Sequence, residues 1–318
     1  PQFSITFSPH NFIIIFTPLM ILTSMPVKIK IFSDIKTKGL IQMKKRTQLI
    51  LIFSVMLLCS PPAAVVRSMA VMSVYSSLHK KESLPAKEGF EIIIPGGLTT
   101  SKKDWYPFVM TFNDNAGFQN FTGNKNLDLT IMYNFPAFSA KNGCSLLYDE
   151  SSPYLGGFYG AYAVQDKSGR PYGFEDDRSM DLSSASQVPE FDMKNLVLSS
   201  FGLSYNDIVF DWDMTDYSQN IYYAGYDNWS KVDAELTVNS PSHSSNGFVQ
   251  SYLQYGVPSF DVSEDFSPIK MYGRVYARYF EEFNSSIFFY IITSSQQVLE
   301  DCDRDILSES SINNVKNS

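Results

Sequence analysis

The clearest hydrophobic pattern lies in the last third of the chain. Between Met271 and Phe280, Val275, Ala277 and Tyr279 alternate with Arg274, Tyr276 and Arg278. This period of two predicts a strand with one buried and one wet face. A short polar turn with Asn284-Ser285-Ser286 leads into Ile287–Ile292, almost wholly apolar, and the two runs read as an antiparallel hairpin. Ser294 and Gln297 then stand at capping-box spacing. They open an amphipathic helix to about Ser308, with Val298, Leu299, Cys302 and Ile306 as its apolar stripe and Glu300, Asp301, Asp303 and Arg304 facing water. The polar tail 309–318 predicts frayed chain.

Further strands are predicted upstream. Phe90–Ile94 is β-branched and ends at Pro95-Gly96-Gly97. Trp105–Phe112 and Leu127–Phe135 follow, and in the latter Leu127, Leu129, Ile131 and Tyr133 alternate with Asp128, Thr130 and Met132. The run Tyr154–Val164 is aromatic and rich in glycine, which allows close backbone approach or a bulge. A short helix is expected around Asp192–Ser200, and short strands over Ile208–Trp212 and Ala234–Val238. Residues 71–89, polar and lysine-bearing with Pro85 inside, read as a linker. The sum is an α+β fold, mostly antiparallel β-sheet with a C-terminal amphipathic helix packed on it, in one domain over 90–308.

Composition adds a location. The chain has 318 residues and a net charge of −8. Residues 1–89 hold 11 Lys and Arg against 3 Asp and Glu, whereas the remainder holds 14 against 30. An acidic body repels phosphate backbones, which sets nucleic acid aside as a partner. The basic excess surrounds Met43-Lys44-Lys45-Arg46, followed by the apolar run Leu49–Cys59, the anatomy of a bacterial secretory signal. Residues 1–42 are then expected to be translated upstream sequence, because Phe12–Leu22 is interrupted by Pro18 and is too short to span a bilayer. Residues 43–70 are a signal peptide, cleaved after Ala70, or a membrane anchor over 47–66 interrupted by Pro61-Pro62. Either way the body is expected to be extracytoplasmic, secreted or tethered, and to meet the membrane only through this N-terminal segment.

Candidate chemistry is sparse. Cys144 and Cys302 could form one disulfide in an exported chain, or Cys302 could be a buried free thiol on its helix stripe. His79 and His243 lack partners at metal-ligand spacing, and no Gly-x-Ser-x-Gly elbow occurs. Asp211, Asp213 and Asp216 offer oxygen ligands of the kind Ca²⁺ takes, without the glycine and terminal Glu of an EF-hand; a solvated turn is the other reading. Tyr222, Tyr226 and Trp229, in a stretch rich in Asp and Asn, could stack on sugars, or could fill the core of a strand pair. No acid, base or cofactor ligand is assigned, and no Gly-rich phosphate loop suggests a cofactor.

The opening FEIIIPGG and the closing IFFYIIT strand and QQVLEDCDRDILSES helix resemble the PsbP-like family of small α/β sandwiches. The resemblance covers the two ends of the body and leaves out Ala137–Phe266. It implies a closing apolar strand and helix packed on a central antiparallel sheet, and an accessory or binding role rather than catalysis; no functional residue carries over from it. The expectation is a non-enzymatic exported protein whose partner is a protein, an envelope component or a glycan. A secreted carbohydrate-binding module is the alternative and a secreted hydrolase the third.

Overall fold

A computed structural model describes residues 74–95, 108–134, 157–198, 203, 205–239, 267–305 and 307–315. In chain order the elements are α1 (74–82), α2 (Leu84–Glu88), β1 (Phe90–Ile93), β2 (Phe108–Phe112), α3 (Ala116–Thr122), β3 (Leu127–Asn134), β4 (Phe158–Asp166), α4 (Leu182–Ala185), α5 (Gln187–Asp192), β5 (Phe210–Tyr223), β6 (Tyr226–Asn239), β7 (Pro268–Phe280), β8 (Ser285–Thr293), α6 (Gln296–Asp305) and β9 (Ser311–Asn314). Seven strands form one antiparallel sheet in the order β2-β3-β4-β8-β7-β6-β5. The α+β expectation is met, with the amphipathic helix α6 packed against β7 and β8.

Two meanders, β2-β3-β4 and β5 to β8, join along the β4–β8 pair, so β8 lies at the middle of the sheet and is buried at every position. That burial explains an apolar run without alternation. One face packs Leu129, Ile131, Val164, Val232, Val275 and Phe288 against Val188, Phe191 and Leu196 of the helical segment 182–198. The other face packs Ala161, Trp229, Phe289 and Ile291 against Leu84 of α2, Leu299 and Cys302 of α6, and Phe90 and Ile312 of a small β1–β9 ribbon.

Four expectations are corrected here. Residues 74–88 are helical rather than a linker: Ser83 caps α2, Pro85 sits in its first turn where its missing N–H is harmless, and the Leu84 amide donates to Thr130 Oγ1 at 2.9 Å. The domain therefore begins before Phe90. The tail is no frayed end, since Ser311–Asn314 pairs with β1 and buries Ile312. The helix expected around Asp192–Ser200 starts at Leu182 and passes into a π-turn over Met193–Val197. The strands expected at Ile208–Trp212 and Ala234–Val238 are each 14 residues long. They meet at Ala224 and Gly225, both with positive φ (49° and 87°), the geometry of a tight hairpin turn.

Gly160, within the glycine-rich run, shows why that run needs glycine. A Cβ there would stand 1.8 Å from the Met132 carbonyl oxygen and 3.0 Å from the Tyr290 hydroxyl. The backbone cannot yield as a flexible side chain would. Gly160→Ala is expected to destabilise the fold by about 2–3 kcal/mol in urea unfolding. A change within about 0.5 kcal/mol would show that β3 and β4 can move apart freely.

Candidate functional site

Tyr133 on β3 lies opposite Gly160, and Tyr162 two residues further along β4 shares its face. Both rings cross the core to the end of α5. There Tyr133 donates a hydrogen bond to Oδ1 of Asp192, and Tyr162 donates one to Oδ2 at 2.8 Å. Asp192 is 0% exposed. Burial pushes its carboxyl upward and the two phenolic hydrogen bonds pull it back, leaving it at about 7. Burial also drives the Tyr162 phenol well above its ordinary value, with the Asp192 charge adding to the effect. Tyr290 of β8 stacks on Tyr162 with centroids 4.3 Å apart and planes at 9°.

A carboxyl that exchanges its proton near neutrality has the electrostatics of an acid–base group. Its surroundings are another matter. The neighbouring cavity, between α5 and the sheet, is about 20 Å³ and lined by Tyr162, Pro189, Met193, Trp212, Gly273 and Tyr290 among others. It has room for a water molecule or so, far below the size of a ligand pocket. The cluster therefore acts on the fold: it ties the strand pair β3–β4 to α5 through one titratable group.

A second polar cluster lies on the opposite face. Arg274 of β7, expected on a wet face, is 5% exposed beneath α6. Its Nε and Nη2 form a bidentate pair with Asp233 of β6 (2.6 and 2.9 Å). Nη1 and Nη2 also reach Glu300 (3.1 and 3.0 Å), and Nη1 reaches Asp303 (2.6 Å), both on α6. The Tyr276 hydroxyl donates to Asp303 at 2.8 Å. Burial pushes the Asp233 carboxyl up, but the hydrogen bonds and charge of Arg274 outweigh it and hold the group below its usual range. This is the bidentate geometry that arginine favours, and it clamps α6 to the sheet.

Asp211, Asp213 and Asp216 lie on the outer strand β5 rather than in a turn. The register sets them opposite Thr237, Glu235 and Asp233, so a bulge after Met214 keeps all three on one face. Successive same-face positions on a strand are almost 7 Å apart, and the carboxylates stand side by side instead of converging as a Ca²⁺ site requires. Among the described residues no group of three His, Cys, Asp or Glu is placed to hold a metal.

The aromatic candidates divide. Tyr222 is 71% exposed, Tyr226 half-buried, and Trp229 0% exposed. Trp229 packs edge-on to Tyr223 and Phe280 and so offers no open face to a sugar, which corrects the three-ring platform. Cys302 is a free, buried thiol, raised by burial and by the acidic residues beside it, and this corrects the disulfide reading; Cys144 lies outside the described residues. His79, expected in a linker, lies in α1, where Nδ1 stands 2.6 Å from Thr111 Oγ1. His243 and the signal or anchor segment 43–70 lie outside the described residues. Among those that are described, no helix is long and apolar enough to cross a membrane.

The sequence reading missed Asp192 and Arg274. For Asp192 the signal was present: it falls on the stripe of Val188, Phe191 and Leu196, at helical spacings that otherwise carry only apolar residues. No family model matches the chain, and no curated protein does either.

Proposed function

We propose that this is an exported, non-enzymatic binding protein that works through surface contact with a basic segment of a protein or envelope component. The observation that carries the reading is β5. This 14-residue strand is one of the two outer strands of the sheet, with β6 as its hydrogen-bonded neighbour among the described residues. It carries Asp211, Asp213 and Asp216, all exposed and none in an ion pair with a described residue, unlike Asp233 and Glu235 beside them. An outer strand offers unpaired backbone groups for strand addition, and the acidic side chains select a partner of opposite sign while discouraging self-pairing. The resemblance to PsbP-like sandwiches implies an accessory role of the same kind.

An extended peptide of alternating Lys and Thr, titrated into the full chain by fluorescence anisotropy, tests this. D211N/D213N/D216N is expected to weaken binding about tenfold, from three exposed charge pairs of a few tenths to one kcal/mol each. E175Q/D176N/E282Q, which removes as much charge elsewhere, is expected to change it about twofold or less. Equal losses in the two variants would leave only non-specific attraction, and the reading would fall.

A further inference from the structure

We propose that Trp229 and Arg278 form a subsite for the carboxylate of a small ligand, independent of the β5 surface. Ser230 of β6 pairs with Ala277 of β7 at the end of their register; Trp229 and Arg278 come next on the two strands, and both lie against the Phe280 ring. Each brings a buried hydrogen-bond donor with no acceptor among the described residues: Nε1 of Trp229, whose side chain is fully buried, and Nη1 of Arg278. Buried donors are nearly always paired, and two orphans beside one ring can be met by one shared acceptor.

The guanidinium is held by rings rather than by carboxylates. It lies over Tyr226 (4.9 Å to the centroid) and Phe280 (4.1 Å), and Phe280 stands edge-on to both Tyr226 and Trp229. Arg274, four residues earlier on the same face, shows the contrast, since three acidic side chains surround it. Arg278 has no ion pair with a described residue, and burial holds its guanidinium below its ordinary value, with Glu282, Tyr226 and Asp227 only partly countering. The subsite borders solvent: Arg278 and Tyr226 are half-buried, Asp227 and Asn228 exposed.

The arrangement selects its ligand. A planar fork beside an indole N–H matches a carboxylate, whose two oxygens can take one donor each. The negative charges of Asp227 and Glu282 disfavour a phosphate dianion, while the aromatic walls favour a carboxylate carried on a ring, as in a uronic acid or an aromatic acid.

The test uses the full chain labelled with ¹⁵N and titrated with sodium glucuronate or sodium benzoate, against sodium chloride at matched ionic strength. The indole N–H resonance of Trp229, assigned by its loss in Trp229→Phe, is expected to move saturably with at least one carboxylate and not with chloride. Glucuronate and benzoate separate a sugar acid from an aromatic acid as the source of the group. Arg278→Met keeps the stem packed and removes the fork; it is expected to weaken binding at least tenfold while leaving the ligand-free melting temperature unchanged within a degree or two. Arg278→Lys, which keeps the charge, is expected to lose most of the affinity as well. An indole resonance that responds to neither carboxylate, or a response that survives in Arg278→Met, would overturn the proposal.

Discussion

Between pH 5 and pH 7 the wild-type protein is expected to lose stability against Asp192→Asn at about 1.4 kcal/mol per pH unit, about 3 kcal/mol by pH 8, where the difference levels off. In the folded chain the Asp192 carboxyl sits at about 7, because burial raises it more than Tyr133 and Tyr162 lower it. Unfolded, it returns to an ordinary value near 4. The folded state therefore binds a proton that the unfolded state has released between these values. The stability this group supplies is full in acid and is lost as pH rises through about 7. Asparagine imitates the protonated carboxyl in shape, with one oxygen to accept and an amide to donate, and does not titrate. Groups held low, such as Asp233, are common to both proteins and cancel in the difference. Urea unfolding of both proteins across the range measures it. Parallel curves would mean that Asp192 is ionised throughout. Tyr133→Phe removes one of the two hydrogen bonds that favour the charge, so the decline is expected to continue to a higher pH.

Much of this fold was legible from periodicity, and the failures share a cause. The β7–β8 hairpin, β1, β3 and α6 were readable because burial writes itself as alternation, as an apolar run or as a stripe. β5 was legible only as far as Trp212 because it is an outer strand: beyond it Asp213, Asp216, Gln219 and Asn220 meet water, and their composition is that of a turn. α1 and α2 escaped because Pro85 marks a helix's first turn as readily as a break. The two polar clusters were harder still. Arg274 alternates in sequence like a solvent-facing residue, and nothing local shows that α6 folds back over it. Asp192 and its two tyrosines are 59 and 30 residues apart in the chain, a separation that no pattern of periodicity spans.

Arg274→Met is expected to destabilise the fold by about 3–5 kcal/mol, the range for removing one partner of a buried charge pair. Methionine keeps the stem packed but leaves Asp233, Glu300 and Asp303 facing one another with only Lys231, on the Asp233 side, as a cation. Glu300 is the most solvated of the three, so the penalty falls mainly on Asp233 and Asp303, whose side chains are 21% and 16% exposed. Lysine keeps the charge but not the fork that meets Asp233 through two nitrogens, and Arg274→Lys is expected to lose about half as much. Since Glu300 and Asp303 belong to α6, amide exchange in Arg274→Met is expected to accelerate first over residues 296–305. The triple variant R274M/D233N/D303N separates stranded charge from lost packing, and it should recover most of the loss if stranded charge is the cause. Acidification gives the same answer without a second mutation. With Arg274 gone, Lys231, 3.2 Å away, is left to oppose the burial that lifts the Asp233 carboxyl, so the group takes up a proton at a higher pH than in the wild type and the variant's deficit narrows from pH 7 towards pH 4. A deficit that stays constant with pH, or one below about 1 kcal/mol, would place the cluster with solvent-screened surface pairs.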